Sequence, residues 1–114
     1  MTTMYGIPNC DTIKKAKKWL GANDIPFQFH DFRKDGIDIG WLEQAADELG
    51  WENLMNKRGT TYRQLPEEQK ADLNSTKALA LLRENPAIIK RPVLEHNGSL
   101  HLGFKPGQYE DIFS

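Results

Sequence analysis

The order in which strand-like and helix-like segments follow one another restricts the fold of this chain more than any other feature. Residues 2–7 form a short β-branched and aromatic segment that predicts a strand. The next segment carries apolar residues at helical spacing, at Ile13, Ala16, Trp19 and Leu20. After a break at Pro26, residues 27–32 predict a second strand. A strand, a helix and a strand in this order indicate a βαβ unit.

The middle of the chain is predicted to be helical. Its first helix begins near Ile39, has apolar positions three or four residues apart, and ends at Gly50. Residues 51–85 predict further short helices, the last of them capped by Ser75. Together these pieces form a helical insert at about residues 38–85.

A β-hairpin is predicted near the end of the chain. The apolar segment 88–94 leads into Asn97-Gly98, the strongest short-range signal for a hairpin turn, and Pro106 begins a final helix. The whole order is typical of an α/β protein with a thioredoxin-like core, in which a βαβ unit and a hairpin with a C-terminal helix flank the inserted helices. We predict a single domain over residues 1–114, with its core at about 1–37 and 86–114.

Charge and composition exclude several classes of protein. The 114 residues include 15 basic and 16 acidic side chains, so the formal net charge of −1 gives no sign of a nucleic-acid partner. No apolar run approaches the roughly 18–20 residues that span a bilayer, and no secretory signal is visible, so no membrane association is expected. A single cysteine cannot form an internal disulfide. The reducing cytoplasm is therefore the expected compartment. We also expect the protein to be a monomer.

Cys10 is the strongest candidate for a reactive group. It follows a strand and a tight loop with Gly6 and Pro8, and it stands directly before a helix. Thiols react as thiolates, and helix N-termini and nearby cations lower the pKa of a thiol. A buried, unreactive cysteine is the alternative, although the polar neighbours Asn9 and Asp11 are unusual for a core position. No Cys-x-x-Cys pair exists, so an external thiol such as glutathione must resolve any covalent intermediate on the cysteine.

Arg91-Pro92 is a second candidate feature. A proline that enters a strand belongs at an edge or at a strand start, and in a thioredoxin-like layout it would lie opposite Cys10 and present neighbouring backbone to a substrate. Arginine holds oxyanions and carboxylates because its planar group donates two parallel hydrogen bonds. This layout can bring three arginines towards the cysteine: Arg58, Arg63 and Arg91. Lys105, directly before the last helix, can add a point charge. A simple edge proline and solvated surface charges are the alternatives.

The histidines do not suggest a metal site. His30, His96 and His101 are predicted to lie in strands, and the chain has one cysteine and no His-x-x-x-His spacing. We expect neither a metal nor a bound cofactor. His30 and His96 are not favoured as general bases.

Five segments spread over the whole chain are characteristic of one family. They are Tyr5-Gly6-Ile7-Pro8-Asn9-Cys10-Asp11-Thr12, Lys57-Arg58-Gly59-Thr60-Thr61-Tyr62-Arg63-Gln64-Leu65, Asn85-Pro86, Ile88-Ile89-Lys90-Arg91-Pro92-Val93 and Gly103-Phe104-Lys105-Pro106. Together they resemble the ArsC/Spx family, and most closely its YffB-type branch of small arsenate-reductase-like proteins. The resemblance implies one ArsC-like domain, with a thioredoxin-like core and an inserted helical bundle.

The resemblance also implies a chemistry. In the arsenate reductases of this family, a cysteine at the position of Cys10 attacks the oxyanion, glutathione takes part, and glutaredoxin completes the reduction. Three arginines hold the oxyanion. One is kept here as Arg91, a second falls near Asn56, two residues before Arg58, and the third falls at Lys105. The YffB-type branch implies a glutathione-dependent thiol reductase with Cys10 as the catalytic residue. The residues expected to bind substrate or glutathione are then Arg91, Lys105, Arg58, Asn9 and Pro92.

The Spx branch implies a different function. Its members bind the α subunit of RNA polymerase and regulate transcription, often with a Cys-x-x-Cys switch that this chain lacks. Two functions are therefore open. One is a glutathione-dependent thiol oxidoreductase related to arsenate reductases, with glutathione as co-substrate and glutaredoxin as a partner. The other is a regulatory protein that binds a protein partner such as RNA polymerase.

Overall fold

Strand β1 (Thr2–Gly6) lies at the centre of a four-stranded mixed sheet in the computed structural model, which describes residues 2–114. Fully and partly buried residues alternate along β1, as expected for a strand with one face more deeply covered than the other. β2 (Gln28–Asp31) pairs with β1 in parallel, and helix α1 (Asp11–Ala22) connects the two strands. The predicted βαβ unit is confirmed.

The hairpin completes the sheet. β3 (Val93–His96) pairs antiparallel with β1 and with β4 (Ser99–Leu102), so the strand order is β2-β1-β3-β4. Asn97 and Gly98 have φ values of 51° and 83°, as a two-residue type I′ turn requires.

The hairpin strand does not extend back over all of residues 88–94. Pro86–Ile88 form a 3₁₀ turn, and Ile89 makes an isolated bridge to Met55 rather than to the sheet. Pro92 has no amide hydrogen to donate to a ladder, and β3 begins directly after it.

The core around the sheet is formed by the sheet together with the first and the last helix of the chain. Helix α7 (Pro106–Ile112) contributes Tyr109, whose side chain is fully buried. The buried cluster consists of Met4, Ile13, Ala16, Leu20, Leu94 and Tyr109. The Tyr109 hydroxyl has no hydrogen-bond partner among residues 2–114, and burial raises the pKa of Tyr109 above its ordinary value of 10.0.

A second compact unit comprises Ile37–Lys90, and the first comprises Met1–Gly36 and Arg91–Ser114. The helices of the second unit are α2 (Ile39–Leu49), α3 (Trp51–Leu54), α4 (Thr60–Arg63), α5 (Glu67–Lys70) and α6 (Ser75–Glu84). Its buried apolar residues are Leu42, Ala45, Ala46, Leu54, Met55, Ala78, Leu81, Leu82, Ile88 and Ile89. The boundaries between the units fall after Gly36 and after Lys90, whereas the sequence placed them at about 37 and 85. The single-domain organisation itself stays a prediction.

The caps of the two longest helices in this unit explain where those helices begin. The Asp38 carboxylate accepts a hydrogen bond from the Trp41 amide, 2.9 Å away, at the start of α2. At the start of α6 the Asn74 side chain accepts from the Lys77 amide, also at 2.9 Å. The predicted cap at Ser75 is therefore wrong by one residue, because Ser75 is already the first helical residue. None of the helices within residues 2–114 has the length and apolar character of a membrane span.

Candidate active site

Most of the candidate site residues lie at the end of the sheet nearest Cys10. β1 ends at Gly6, and the chain then runs through a short loop to Cys10. Because β3 is antiparallel to β1 and begins opposite Tyr5, Arg91 and Pro92 enter the sheet at this same end.

β4 brings the last of these residues to the same place. Its final residue, Leu102, pairs with Val93, and the Gly103 amide donates a hydrogen bond to the Pro92 carbonyl at 2.8 Å. Lys105 follows as the N-cap residue of α7. The topology of the first unit thus places five candidate residues at one end of the sheet: Asn9, Cys10, Arg91, Pro92 and Lys105.

Cys10 is the N-cap residue of α1. Its backbone is extended, with φ −120° and ψ 129°, and its carbonyl accepts the first helical hydrogen bond from the Lys14 amide at 3.0 Å. The amides of residues 11–13 therefore have no intrahelical acceptor. The Cys10 side chain is half-buried against the core and makes no cap hydrogen bond. The only thiol of the chain thus stands at the positive end of a twelve-residue helix.

Gly6 allows the Cys10 loop, α1 and Arg91 to approach one another. A Cβ atom at Gly6 would overlap with Ile13 Cδ1 and would lie 3.3 Å from Ile13 Cγ1 and 3.9 Å from Arg91 Cβ. Arg91 is half-buried, and its side chain has no hydrogen bond or ion pair within residues 2–114. The guanidinium is therefore available to bind an anion near this end of the sheet.

Pro92 is buried, and the Arg91–Pro92 peptide bond is cis. The Pro92 carbonyl accepts the Gly103 amide, and the proline has no amide hydrogen to donate. Asn9 and Lys105 are exposed, and their roles stay predictions.

Arg58 belongs to the second unit, in the loop between α3 and α4, and it is exposed. It lies in a cleft of about 400 Å³ within that unit. The cleft is lined by Glu52, Asn53, Met55, Asn56, Lys57, Arg58 and Lys90. Arg58 is a candidate from the sequence, whereas its cationic neighbours Lys57 and Lys90 could not be recognised there.

The histidines lie away from the thiol or are engaged elsewhere. His96 is at the far end of β3, where its Nδ1 is 2.8 Å from the Thr2 hydroxyl, and burial lowers the pKa of His96 from its ordinary value of 6.5. His30 Nε2 is 2.8 Å from the Gly36 carbonyl oxygen. No group of three or more His, Cys, Asp or Glu residues suited to a metal ion occurs within residues 2–114.

The fold and the site together define a class. A mixed four-stranded sheet with a βαβ unit, a hairpin, a C-terminal helix and a separate helical unit is the architecture of the thioredoxin-like proteins that carry inserted helices. Within that class, this chain presents one cysteine, at the start of α1.

The chain belongs to the ArsC family, whose sequence model matches residues 5–112. The solved structure of the YFFB protein is similar to this chain, with a TM-score of 0.96 and a sequence identity of 44%. The alignment covers 100% of both chains. An arsenate reductase (ArsC) related protein from Brucella melitensis is 45% identical, with 99% of this chain and 94% of that chain covered and a TM-score of 0.80. Global transcriptional regulator Spx 2 of Lactococcus lactis is 32% identical, over 91% of this chain and 80% of its own length.

Proposed function

We propose that this protein is a glutathione-dependent thiol oxidoreductase in which Cys10 is the nucleophile. The observation that carries the proposal is the position of Cys10, the N-cap residue of α1, at the end of the sheet where Arg91 and Lys105 also lie. Free amides at a helix start favour negative charge, both on a thiolate and on an anion bound beside it. The Brucella melitensis relative named for arsenate reductase supports the oxidoreductase chemistry.

The reaction requires two thiol–disulfide exchanges at Cys10 because the chain has one cysteine. The Cys10 thiolate attacks one sulfur of a disulfide substrate, forms a mixed disulfide with that half, and releases the other half as a thiolate, which takes up a proton. A glutathione thiolate then attacks the substrate sulfur of the mixed disulfide. This step releases the Cys10 thiolate and leaves the first half joined to glutathione. A second glutathione reduces that mixed disulfide, so that both halves of the substrate end as free thiols, and two glutathione molecules supply the electrons and end as oxidised glutathione.

Two cations at the same end of the sheet have a role in binding. Arg91 can hold a carboxylate or an oxyanion through two parallel hydrogen bonds, whereas Lys105 adds a single point charge. The exposed amide of Asn9, next to the thiol, is a further contact for the ligand. Glutaredoxin is the proposed partner that recycles glutathione adducts, and the protein is proposed to act as a monomer in a reducing cytoplasm.

A trapping experiment tests the proposal directly. Incubation with oxidised glutathione should add one glutathionyl group to the protein, seen by intact mass, and Cys10→Ser should add none. The same substitution should abolish reduction of a glutathione mixed disulfide in an assay coupled to glutathione reductase.

Arg91→Gln should lower the rate of this reduction about tenfold or more, because a charge-assisted hydrogen bond contributes about 1.5–3 kcal/mol. Lys15→Gln, an exposed lysine on α1, is the matched control and should leave the rate unchanged. Full activity in Cys10→Ser would refute the proposal.

A regulatory function is the second candidate, and the 32% identity to Spx 2 favours it. Under this proposal the chain binds a protein partner, such as the α subunit of RNA polymerase, and needs no thiol chemistry. A pull-down with the purified α subunit should then retain the protein, and Cys10→Ser should bind equally well. Absence of binding by both proteins would exclude this candidate.

A further inference from the structure

We propose that the surface where α1 and α7 end contains a binding site for a small organic cation. The ligand is a primary ammonium compound that carries an apolar group of a few carbon atoms. The site lies within the first unit, and Cys10 does not line it. It therefore goes beyond the thiol chemistry proposed above.

A depression of about 330 Å³ lies between the ends of these two helices. It is lined by Trp19, Asn23, Ile25, Glu110 and Phe113. Trp19 is in the last turn of α1, and Asn23 is the C-cap residue of that helix. Glu110 is in the last turn of α7, and Phe113 is its C-cap residue. The volume is at the lower end of the range for small-molecule sites, which indicates a small ligand rather than a folded partner.

Both helices present their negative ends to this depression. The C-terminus of a helix carries a partial negative charge equivalent to about half an elementary charge, and a cation near it is stabilised. Neither helix, both of which lie wholly within residues 2–114, has a basic residue in its last turn. The lysines of α1, at positions 14, 15, 17 and 18, come before Trp19 and do not line the depression. The two helix ends thus lack a cation from their own last turns.

The polar side chains of the depression add hydrogen-bond acceptors. The Glu110 carboxylate makes no hydrogen bond or ion pair within residues 2–114. The Asn23 side-chain nitrogen donates to the Trp19 carbonyl at 2.8 Å, which leaves the side-chain oxygen of Asn23 to accept from a ligand. None of the five lining residues is a lysine, an arginine or a histidine. A primary ammonium group matches these acceptors because it has three N–H donors and no acceptor.

Aromatic rings form the apolar wall of the depression. The half-buried rings of Trp19 and Phe113 have their centroids 5.9 Å apart, with an angle of 32° between their planes. The fully buried ring of Tyr109 packs edge-on against Trp19 at 5.5 Å and supports the wall from the core. Aromatic faces attract cations, tryptophan most strongly, and they also cover apolar groups. An ammonium compound can therefore place its charge near Glu110 and its carbon chain against the rings.

The test is a titration of the full chain with n-butylammonium chloride at constant ionic strength, followed by the NMR shifts of the indole N–H groups. We expect a saturable shift at Trp19. Trp41 and Trp51 belong to the second unit and should not shift, so they are internal controls. n-Butanol has the same carbon chain without the charge, and tetramethylammonium has the charge without N–H donors. Both should bind more weakly than n-butylammonium.

Substitutions on α7 separate a specific site from general attraction of cations. Glu110→Gln should weaken the binding of n-butylammonium about twofold to fivefold, as expected for loss of a partly exposed charge pair. Asp111→Asn is the matched control, because it removes the same charge from the next residue, which does not line the depression, and it should leave the affinity unchanged. Phe113→Leu keeps an apolar side chain but removes the ring, and should also weaken binding about twofold to fivefold. Cys10→Ser should bind as the unmodified protein does.

Four results would overturn the inference. They are the absence of a saturable shift at Trp19, equal affinities for n-butanol and n-butylammonium, equal losses in Glu110→Gln and Asp111→Asn, and equal affinities for tetramethylammonium and n-butylammonium. Glu110 is exposed, so Glu110→Gln should keep the fold and leaves the test valid even where Phe113→Leu does not fold. Since no thiol exchange is measured, failure of this site and failure of the proposed function give separate results.

Discussion

Gly6→Ala is the substitution whose effect follows most directly from the structure. Gly6 is buried at the end of β1, and an added Cβ would overlap with Ile13 Cδ1 and lie 3.3 Å from Cγ1. Ile13 has no exposed surface, so its side chain has little space to move into. Inserting a methyl group into a packed core costs about 1–3 kcal/mol, and we expect Gly6→Ala to lower the free energy of unfolding by that amount.

A double-mutant cycle identifies the cause of this loss. Ile13→Val removes the Cδ1 atom and on its own should cost about 0.5–1.5 kcal/mol. In the double variant the valine leaves room for the new methyl group, so the combined loss should fall short of the sum of the two single losses by about 1 kcal/mol. Urea unfolding of the four proteins, followed by circular dichroism, supplies the free energies.

Additivity would refute this reasoning. If the two losses add to within about 0.3 kcal/mol, Gly6 and Ile13 do not compete for the same space. Gly21→Ala provides the control, since nothing lies within 4 Å of a Cβ atom at Gly21 and the residue is in α1. That substitution should stabilise the protein by about 0.5–1 kcal/mol because alanine loses less backbone entropy in a helix.

Two further predictions concern single side chains. Tyr109→Phe removes a buried hydroxyl without a partner among residues 2–114 and should raise the free energy of unfolding by about 1 kcal/mol in urea. Because burial raises the pKa of Tyr109 in the folded state, the unfolded chain loses the tyrosine proton more readily, and the free energy of unfolding falls as the pH rises above 10.0. There the free energy of unfolding of the unmodified protein should fall by up to about 1.4 kcal/mol more per pH unit than that of Tyr109→Phe, and equal slopes would contradict this. Asn74→Ala should cost about 0.5–2 kcal/mol through loss of the α6 cap, whereas Ser75→Ala should cost less; the reverse order in thermal or urea unfolding would place the cap at Ser75.

The periodic parts of this fold could be predicted from the sequence. Short β-branched and aromatic segments predicted β1 and β2, apolar residues at helical spacing predicted α1, and Asn97-Gly98 predicted the hairpin. Each of these signals depends only on residues that are neighbours in the sequence. The segment before Pro92 could not be assigned correctly. Its apolar residues suit a strand, but Ile89 pairs with Met55, and that distant pairing is invisible in a single sequence.

The same limit applied to the candidate sites. Cys10 and Arg91 could be identified because a lone cysteine before a helix and an arginine before a strand proline are local patterns. The cluster around Arg58 could not, since Lys90 reaches it only through the bridge between Met55 and Ile89. Lys57 stood beside Arg58 in the sequence, but a pair of adjacent cations usually marks solvated surface. Only the third cation turns that pair into a cluster.

The pairing of β1 with β3 has a consequence for how the chain is made. β3 emerges from the ribosome only after the whole of Ile37–Lys90, so the second unit has all of its residues available before the sheet can close. A nascent chain that stops short of Val93 can pair β1 with β2 alone, which leaves the other edge of β1 open. Open strand edges attract other chains, and that edge is therefore the surface we expect a chaperone to protect during translation.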